Sequence, residues 1–317
     1  MVTILKEKIR VGVLRGGPSP EYDISLQSGA EVLKNLSETY SPIDIFISRD
    51  GDWHVNGFSR SPEKILPHVD VIWNALHGSY GEDGKVQQLL QTYNIPFTGS
   101  RSLSSALGMN KNVSKALFQY HGLKTPEYTV VHPHNNSFTS LIELFHSFPQ
   151  PSIIKPLSGG SSISVTLARD FNTFRDGIES VFKRGGSVLI EEYIPGMEVS
   201  CVVIEGADGD TLYSMFPVGP KQKEVVTESF PVCPAPLSPS ESEAIQQLAL
   251  SVHKHFGLRH YSIIDAIIHP SRGIFLLEVN TLPGTTEQSL LPASLKAVGI
   301  SMSEFIDHVL TLAIEQK

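Results

Sequence analysis

Residues 274–290, IFLLEVNTLPGTTEQSL, decide how this chain is read. Ile274-Phe275-Leu276-Leu277 has the character of a buried strand and runs into Glu278-Val279-Asn280. Alternate residues of a strand share a face, so Glu278 and Asn280 point the same way. A second apolar run, residues 261–268, carries one acid, Asp265. A hairpin turning at Pro270-Ser271-Arg272-Gly273 would bring Asp265, Glu278 and Asn280 together. Two carboxylates and an amide oxygen form a hard-oxygen set suited to Mg²⁺ or Mn²⁺ carrying substrate phosphates. An isolated Glu-x-Asn would more simply be a solvated or salt-bridged strand end. The surrounding motifs favour the metal.

The chain has 317 residues, enough for two or three domains around a cleft. Hydrophobic residues make up 40% and charged residues 18%, the balance of an ordinary globular protein. A net charge of −8 argues against a nucleic-acid surface, though not against a local basic pocket for ATP. Cys201 and Cys233, the only cysteines, supply neither a disulfide framework nor a four-cysteine zinc site, which points to a reducing cytosol. The opening MVTILKEKIRVGVL lacks a long apolar core followed by a cleavage signal, and no run approaches a membrane span. The expectation is a cytoplasmic protein with no membrane partner.

Strand and helix signals alternate through the first third: strands at residues 9–14, 43–47 and 69–73, helices at 21–36 and 84–93. This rhythm implies a parallel, doubly wound α/β sheet with ligands at the strand C-termini. Residues 103–121 read as helices, and a mixed α+β segment follows to about residue 184. The last third is strand-rich to Pro236; then come a helix at 240–256, the hairpin, and closing helices at 289–298 and 302–315. Residues 131–137, VHPHNNS, read as a surface turn rather than a metal site.

Four further motifs carry chemistry. Leu14-Arg15-Gly16-Gly17-Pro18-Ser19-Pro20-Glu21 leaves a strand through a glycine turn and enters a helix, which makes an anion or small-polar-ligand site. It is not G-x-G-x-x-G, so no dinucleotide is indicated. Glu21 either binds an amino group or favours the helix dipole. In His77-Gly78-Ser79-Tyr80-Gly81-Glu82-Asp83-Gly84, three glycines permit close approach to a ligand and His77 ends a strand, while Glu82 and Asp83 could simply cap the next helix. Lys155 ends a strand before the small-residue run 157–165, which contains Ser161 and Ser162 and describes a flap of N–H and hydroxyl donors over phosphates. A plain Gly/Ser hairpin is the other reading of that run. Residues 188–200, VLIEEYIPGMEVS, leave a buried strand through Glu191-Glu192-Tyr193-Ile194. Exposed backbone there can read an adenine edge, and Glu198 can hold ribose hydroxyls.

In this order the motifs resemble the ATP-grasp superfamily and, more narrowly, the D-alanine–D-alanine ligase family. GGPSPEYDISLQSG, HGSYGEDG, CPAPLS and LLEVNTLPGTTEQSLLP carry the resemblance, which spans nearly the whole chain. It implies an ATP-grasp fold with an N-terminal doubly wound (pre-ATP-grasp) domain. The implied regions are 1–100 (substrate), 101–188 (central) and 189–317 (metal-bearing), with ATP between the last two. The implied reaction phosphorylates the carboxylate of one D-alanine with ATP; the amine of a second then attacks the acyl phosphate. By resemblance, Glu21 binds the first ammonium, Ser161 helps position it, His77 lies near that substrate, and Lys223 acts from a closing loop. Lys111, Lys155 and Ser162 meet the ATP phosphates. Glu191 and the backbone of Glu192, Tyr193 and Ile194 meet adenine, and Glu198 meets ribose. Asp265, Glu278 and Asn280 hold two Mg²⁺ or Mn²⁺ ions. Gly284, Ser289 and Leu290 line the second D-alanine site. A homodimer is implied as well.

The chain also departs from the family pattern. An oxyanion-stabilising arginine usually stands two residues before the metal aspartate, where this chain has Ile263. Losing one such donor typically costs roughly 10²–10³ in rate. Arg259 lies on the same face of the presumed strand, but four residues away, on the order of 13 Å. The family's loop Lys-Tyr is here Lys223-Glu224, and a buried Glu224 beside Glu21 would repel it, so Glu224 is expected to point elsewhere. Gln88 replaces a usual glycine and Asn110 a usual aspartate; both changes should be tolerated. The acceptor-side changes leave two alternatives: a related carboxylate–amine ligase with another acceptor, or a weakly active nucleotide-binding homologue.

Overall fold

The computed structural model describes residues 8–133, 138–159, 165–219 and 231–316. The chain packs as two compact units, one formed by Met1–Ala106, Cys201–Ile263 and Thr281–Lys317, the other by Leu107–Ser200 and Ile264–Asn280.

The first unit opens with β1 (Ile9–Gly16), α1 (Tyr22–Asn35), β2 (Tyr40–Ile47), β3 (Trp53–Val55) and β4 (Phe58–Ser59). It continues through α2 (Pro62–Ile65), β5 (Val71–Asn74), α3 (Lys85–Thr92) and α4 (Ser102–Met109). The sheet order is β4-β3-β2-β1-β5. As expected, β1 runs parallel to both β2 and β5, and a strand so placed needs apolar residues on both faces. Val11, Val13 and Leu14 supply them, all fully buried. The sheet is not wholly parallel, however. β3 and β4 pair antiparallel at its edge, joined by Asn56 (φ 52°) and Gly57 (φ 79°), the left-handed pair that a two-residue hairpin turn demands.

The second unit contains α5 (Lys111–Tyr120), β6 (Tyr128–Val131), α6 (Phe138–Ser147), β7 (Ser152–Pro156), β8 (Thr166–Ala168), α7 (Phe171–Phe182) and β9 (Val188–Glu192). Its sheet, β6-β9-β7-β8, is antiparallel throughout. The α7 residues Phe174, Ile178 and Val181 fill one core with Ile154, Val188 and Ile190. Asn110 caps α5, its side chain accepting from the N–H groups of Asn112 (3.1 Å) and Val113 (3.3 Å), a role that Asn and Asp fill about equally well. Gln88 is exposed on α3.

The chain ends with β10 (Met197–Glu205), β11 (Leu212–Ser214), α8 (Pro239–His255), β12 (Tyr261–His269), β13 (Gly273–Asn280), α9 (Leu290–Ala297) and α10 (Met302–Glu315). The third sheet has the order β11-β10-β12-β13, so the expected hairpin of β12 and β13 is formed. Capping boxes at Ser238/Glu241 and Ser301/Glu304 fix the starts of α8 and α10. In the first unit Trp73 stacks on Tyr261, and Phe305 meets both rings edge-on. Among the described residues no single helix is long and apolar enough to cross a membrane.

Candidate active site

In the first unit, Glu21 immediately precedes α1, yet its side chain makes no capping bond there. The loop after β5 comes against it. A Cβ on Gly78 (φ +71°) would fall 2.3 Å from Ser19 Oγ and 2.5 Å from Glu21 Oε2, so only glycine lets the two loops meet. His77 is buried, with Nε2 2.9 Å from Ser28 Oγ and Nδ1 3.5 Å from Glu82 Oε1. Glu82 also accepts from the Gly78 N–H at 2.9 Å. Of the two acids that could have capped α3, only Asp83 takes a capping-type bond, from the Lys85 N–H. Thr285 Oγ1 donates to the carbonyl of Ser28 at 3.0 Å, tying the loop before α9 to the same serine that holds His77. Ser289, just before α9, bonds Thr286 Oγ1 at 2.7 Å instead of capping the helix. A Cβ on Gly284 would come within 2.8 Å of Ser289 Oγ. Leu290 begins the helix, so the N–H groups of its first turn have no intrahelical partners and suit a carboxylate.

The second unit gathers the charged residues. Lys111 Nζ lies 3.2 Å from Glu278 Oε2 and donates to the Gly159 carbonyl at 2.6 Å. Lys155 Nζ is 2.8 Å from Glu191 Oε2. The other oxygen of Glu191 is 2.7 Å from Lys115 Nζ, a residue the sequence reading does not single out. Lys115 is wholly buried, and its ammonium also donates to Thr125 Oγ1 at 2.6 Å. Burial pushes its pKa down to about 8 against the pull of Glu191. Burial would raise Glu191, but Lys155 and Lys115 together hold it below the usual carboxylate range. Lys111 and Lys115 stand four apart on α5, so one helix face delivers both ammoniums.

Asp265, in β12, and Glu278, in β13, face one another electrostatically: burial and Glu278 push the Asp265 pKa up to about 7, while Ser200 Oγ, donating at 2.5 Å, opposes the shift. Glu198 raises it further and Lys155 lowers it. A buried carboxylate whose proton affinity is raised by acidic neighbours is a donor that a divalent cation would relieve. With the Asn280 amide on the Glu278 side of β13, the set fits a hard cation. Among the described residues no group of three His, Cys, Asp or Glu is arranged for a metal.

At the end of β9, the N–H groups of Glu192 and Tyr193 are committed to the carbonyls of Glu127 (2.8 Å) and Pro151 (3.1 Å). Among the described residues the Ile194 N–H donates to no backbone carbonyl. Arg272 clamps the Glu192 carboxylate through both terminal nitrogens, 2.5 and 3.2 Å. Glu198 is exposed. Ile263 packs in the apolar core of the first unit with Trp73, Tyr261 and Leu282. Arg259 does not share its strand face. β12 starts only at Tyr261, after His260 at φ +65°, and the guanidinium of Arg259 turns to the carbonyls of Gly99 (3.2 Å) and Phe97 (2.9 Å). Ser161, Ser162, Lys223 and Glu224 lie outside the described residues.

Two folded units, one carrying a glycine-turn carboxylate site and the other buried lysines beside paired acids, match the ATP-grasp ligase class. Residues 117–311 match the family described as D-ala D-ala ligase C-terminus, and residues 10–65 and 56–100 match D-ala D-ala ligase N-terminus. A D-alanine–D-alanine ligase of Maridesulfovibrio salexigens is 34% identical over 310 residues, covering 96% of this chain and 98% of the relative. The Bacillus anthracis D-alanine–D-alanine ligase complexed with ATP superposes with a TM-score of 0.82 at 29% identity, over 97% of this chain and 98% of that one. The VanG D-Ala:D-Ser ligase of Enterococcus faecalis gives 0.83 at 28%, over 97% and 100%. The chain belongs to the D-alanine–D-alanine ligase family, with its ATP-grasp fold.

Proposed function

We propose that this protein joins two D-alanines at the expense of ATP, supplying the dipeptide for peptidoglycan synthesis. The observation that carries the reading is Lys111 lying against Glu278, with Asp265 as that acid's electrostatic partner. A cation suited to phosphate and an acid pair suited to a metal stand side by side. In the reaction, a carboxylate oxygen of the first D-alanine attacks the γ-phosphorus and ADP leaves. The second amine then adds to the acyl carbon, loses a proton, and inorganic phosphate departs. Glu21 would hold the first ammonium, with His77 kept in place by Ser28 and Glu82. Ser289, Gly284 and the Leu290 N–H would take the second carboxylate. Lys111 and Lys155 would orient the phosphates, Glu191 and the Ile194 N–H would meet adenine, and Glu198 the ribose. Ser161, Ser162 and Lys223 belong to the same proposal by resemblance alone. Asp265, Glu278 and Asn280 would hold two Mg²⁺ or Mn²⁺ ions, which would neutralise charge developing on the phosphates. A cytoplasmic homodimer with no nucleic-acid or membrane partner completes the reading.

The apolar packing of Ile263 favours one second reading, a ligase of this class with another acceptor, because no side-chain donor stands where the family arginine would. Phosphate release from MgATP, with and without D-alanine and with product masses taken in the same tubes, tests both. D-alanine-dependent release with the dipeptide mass supports the first. D-alanine-dependent release that yields product only when D-serine or D-lactate is added supports the second. No D-alanine-dependent release contradicts both.

A further inference from the structure

A cavity of about 430 Å³ lies in the first unit among Gln91, Asn94, Phe97, Arg101, Arg259 and Gln316, none of which the ligase reading uses. Its polar lining is one-sided. Among the described residues no carboxylate pairs with Arg101 or Arg259 within 4.0 Å. The nearest acid in electrostatic effect, Glu205, accepts from Gln316 Nε2 at 3.3 Å and lies 3.9 Å from His253 Nε2. Arg259 is fixed in place, its Nε and one terminal nitrogen on the carbonyls of Gly99 and Phe97 and its guanidinium over the Phe97 ring. The other terminal nitrogen carries no described partner. Burial, and after it the neighbouring Arg101, push the Arg259 pKa down to about 10, with Glu205 only partly opposing the shift. Gln91 spends its oxygen on the Ser102 N–H at the start of α4 and keeps its NH₂.

We propose that this cavity binds a doubly charged oxyanion of the phosphate-monoester class. Two guanidiniums match two negative charges, and planar N–H forks match phosphate oxygens. Ile95, Pro96, Phe97 and Ala313 form an apolar wall, and the space beyond one phosphate group accommodates a small carbon body against it.

The test is calorimetric titration of the full chain with inorganic phosphate, glycerol 3-phosphate and acetate, with the nucleotide site saturated by the magnesium complex of a non-hydrolysable ATP analogue. The expected result is one saturable site for each phosphate compound, none for acetate, and glycerol 3-phosphate binding at least as tightly as phosphate. Arg101 is exposed and its side chain makes no described bond, so Arg101→Gln folds normally and should weaken both at least tenfold; Arg259→Gln should do the same. Absence of saturable binding, binding unchanged in Arg101→Gln, or acetate binding as tightly as phosphate overturns the site. Glycerol 3-phosphate binding tenfold more weakly than phosphate overturns the monoester assignment.

Discussion

Replacing Lys115 by methionine tests whether the buried Lys115–Glu191–Lys155 cluster works as one unit. A fall from 10.5 to about 8 means that the charged amine costs roughly 3 kcal/mol more where it sits than in water. The cost is borne because Glu191, 2% exposed, is held below the usual carboxylate range by both ammoniums. Removing one partner of a buried pair typically costs about 3–5 kcal/mol. Here Lys155 remains and the lysine's own burial cost disappears, so about 2–3 kcal/mol is expected. Glu191→Gln should cost more, roughly 4 kcal/mol, because it strands two lysines without an acid. The double variant should fall short of the sum by about 2 kcal/mol, the size of coupling expected within one charge network. Because Glu191 lies in β9, hydrogen exchange of the Val188–Glu192 amides is the direct assay. Lys115→Met should speed it roughly 30- to 150-fold, at about 1.4 kcal/mol per factor of ten. Exchange within threefold of the parent protein, or strict additivity in the double variant, would refute the reasoning.

Three further outcomes follow from particular contacts. Gly78→Ala should displace Glu21, lowering kcat/KM for D-alanine at least tenfold while circular dichroism stays native, because its Cβ would sit 2.5 Å from Glu21 Oε2. Asn110→Ala should destabilise the second unit by about 1 kcal/mol in urea, whereas Asn110→Asp should be neutral, since both Asn and Asp cap well. His260 is held neutral, its pKa well below 6.5, by burial and by Arg259, with His308 and His253 adding to the depression and Gln316 opposing it. Below pH 6.5 the unfolded chain therefore binds a proton that the native state refuses, and stability falls with pH by at most about 1.4 kcal/mol per unit from this group. Urea titrations followed by Trp53 and Trp73 fluorescence, both in the first unit, should show that slope, and His260→Asn, which tolerates the positive φ, should flatten it.

The pairing of Glu278 with Asn280 was legible because strand alternation is rigid: once β13 is a strand, the two must share a face. The helix starts were equally legible from Ser238-x-x-Glu241 and Ser301-x-x-Glu304. Lys115 was hidden because lysine usually marks a solvated face; its spacing from Lys111 was the available signal, but only tertiary packing reveals the buried acid between it and Lys155. The β3–β4 hairpin had its own signal in Asn56-Gly57, drowned by the flanking residues' weak alternation. Arg259 misled because counting along a strand assumes the strand continues. The left-handed His260 breaks the alternation and sends the guanidinium elsewhere.

The central claim is that D-alanine's own carboxylate is phosphorylated before the peptide bond forms. D-alanine labelled with ¹⁸O in both carboxylate oxygens, incubated with MgATP and this protein, reads it directly. The account predicts one ¹⁸O in each inorganic phosphate, released one for one with D-alanyl-D-alanine, because the oxygen that attacks phosphorus leaves with it. Dipeptide formed with unlabelled phosphate, or phosphate released without dipeptide, would contradict it.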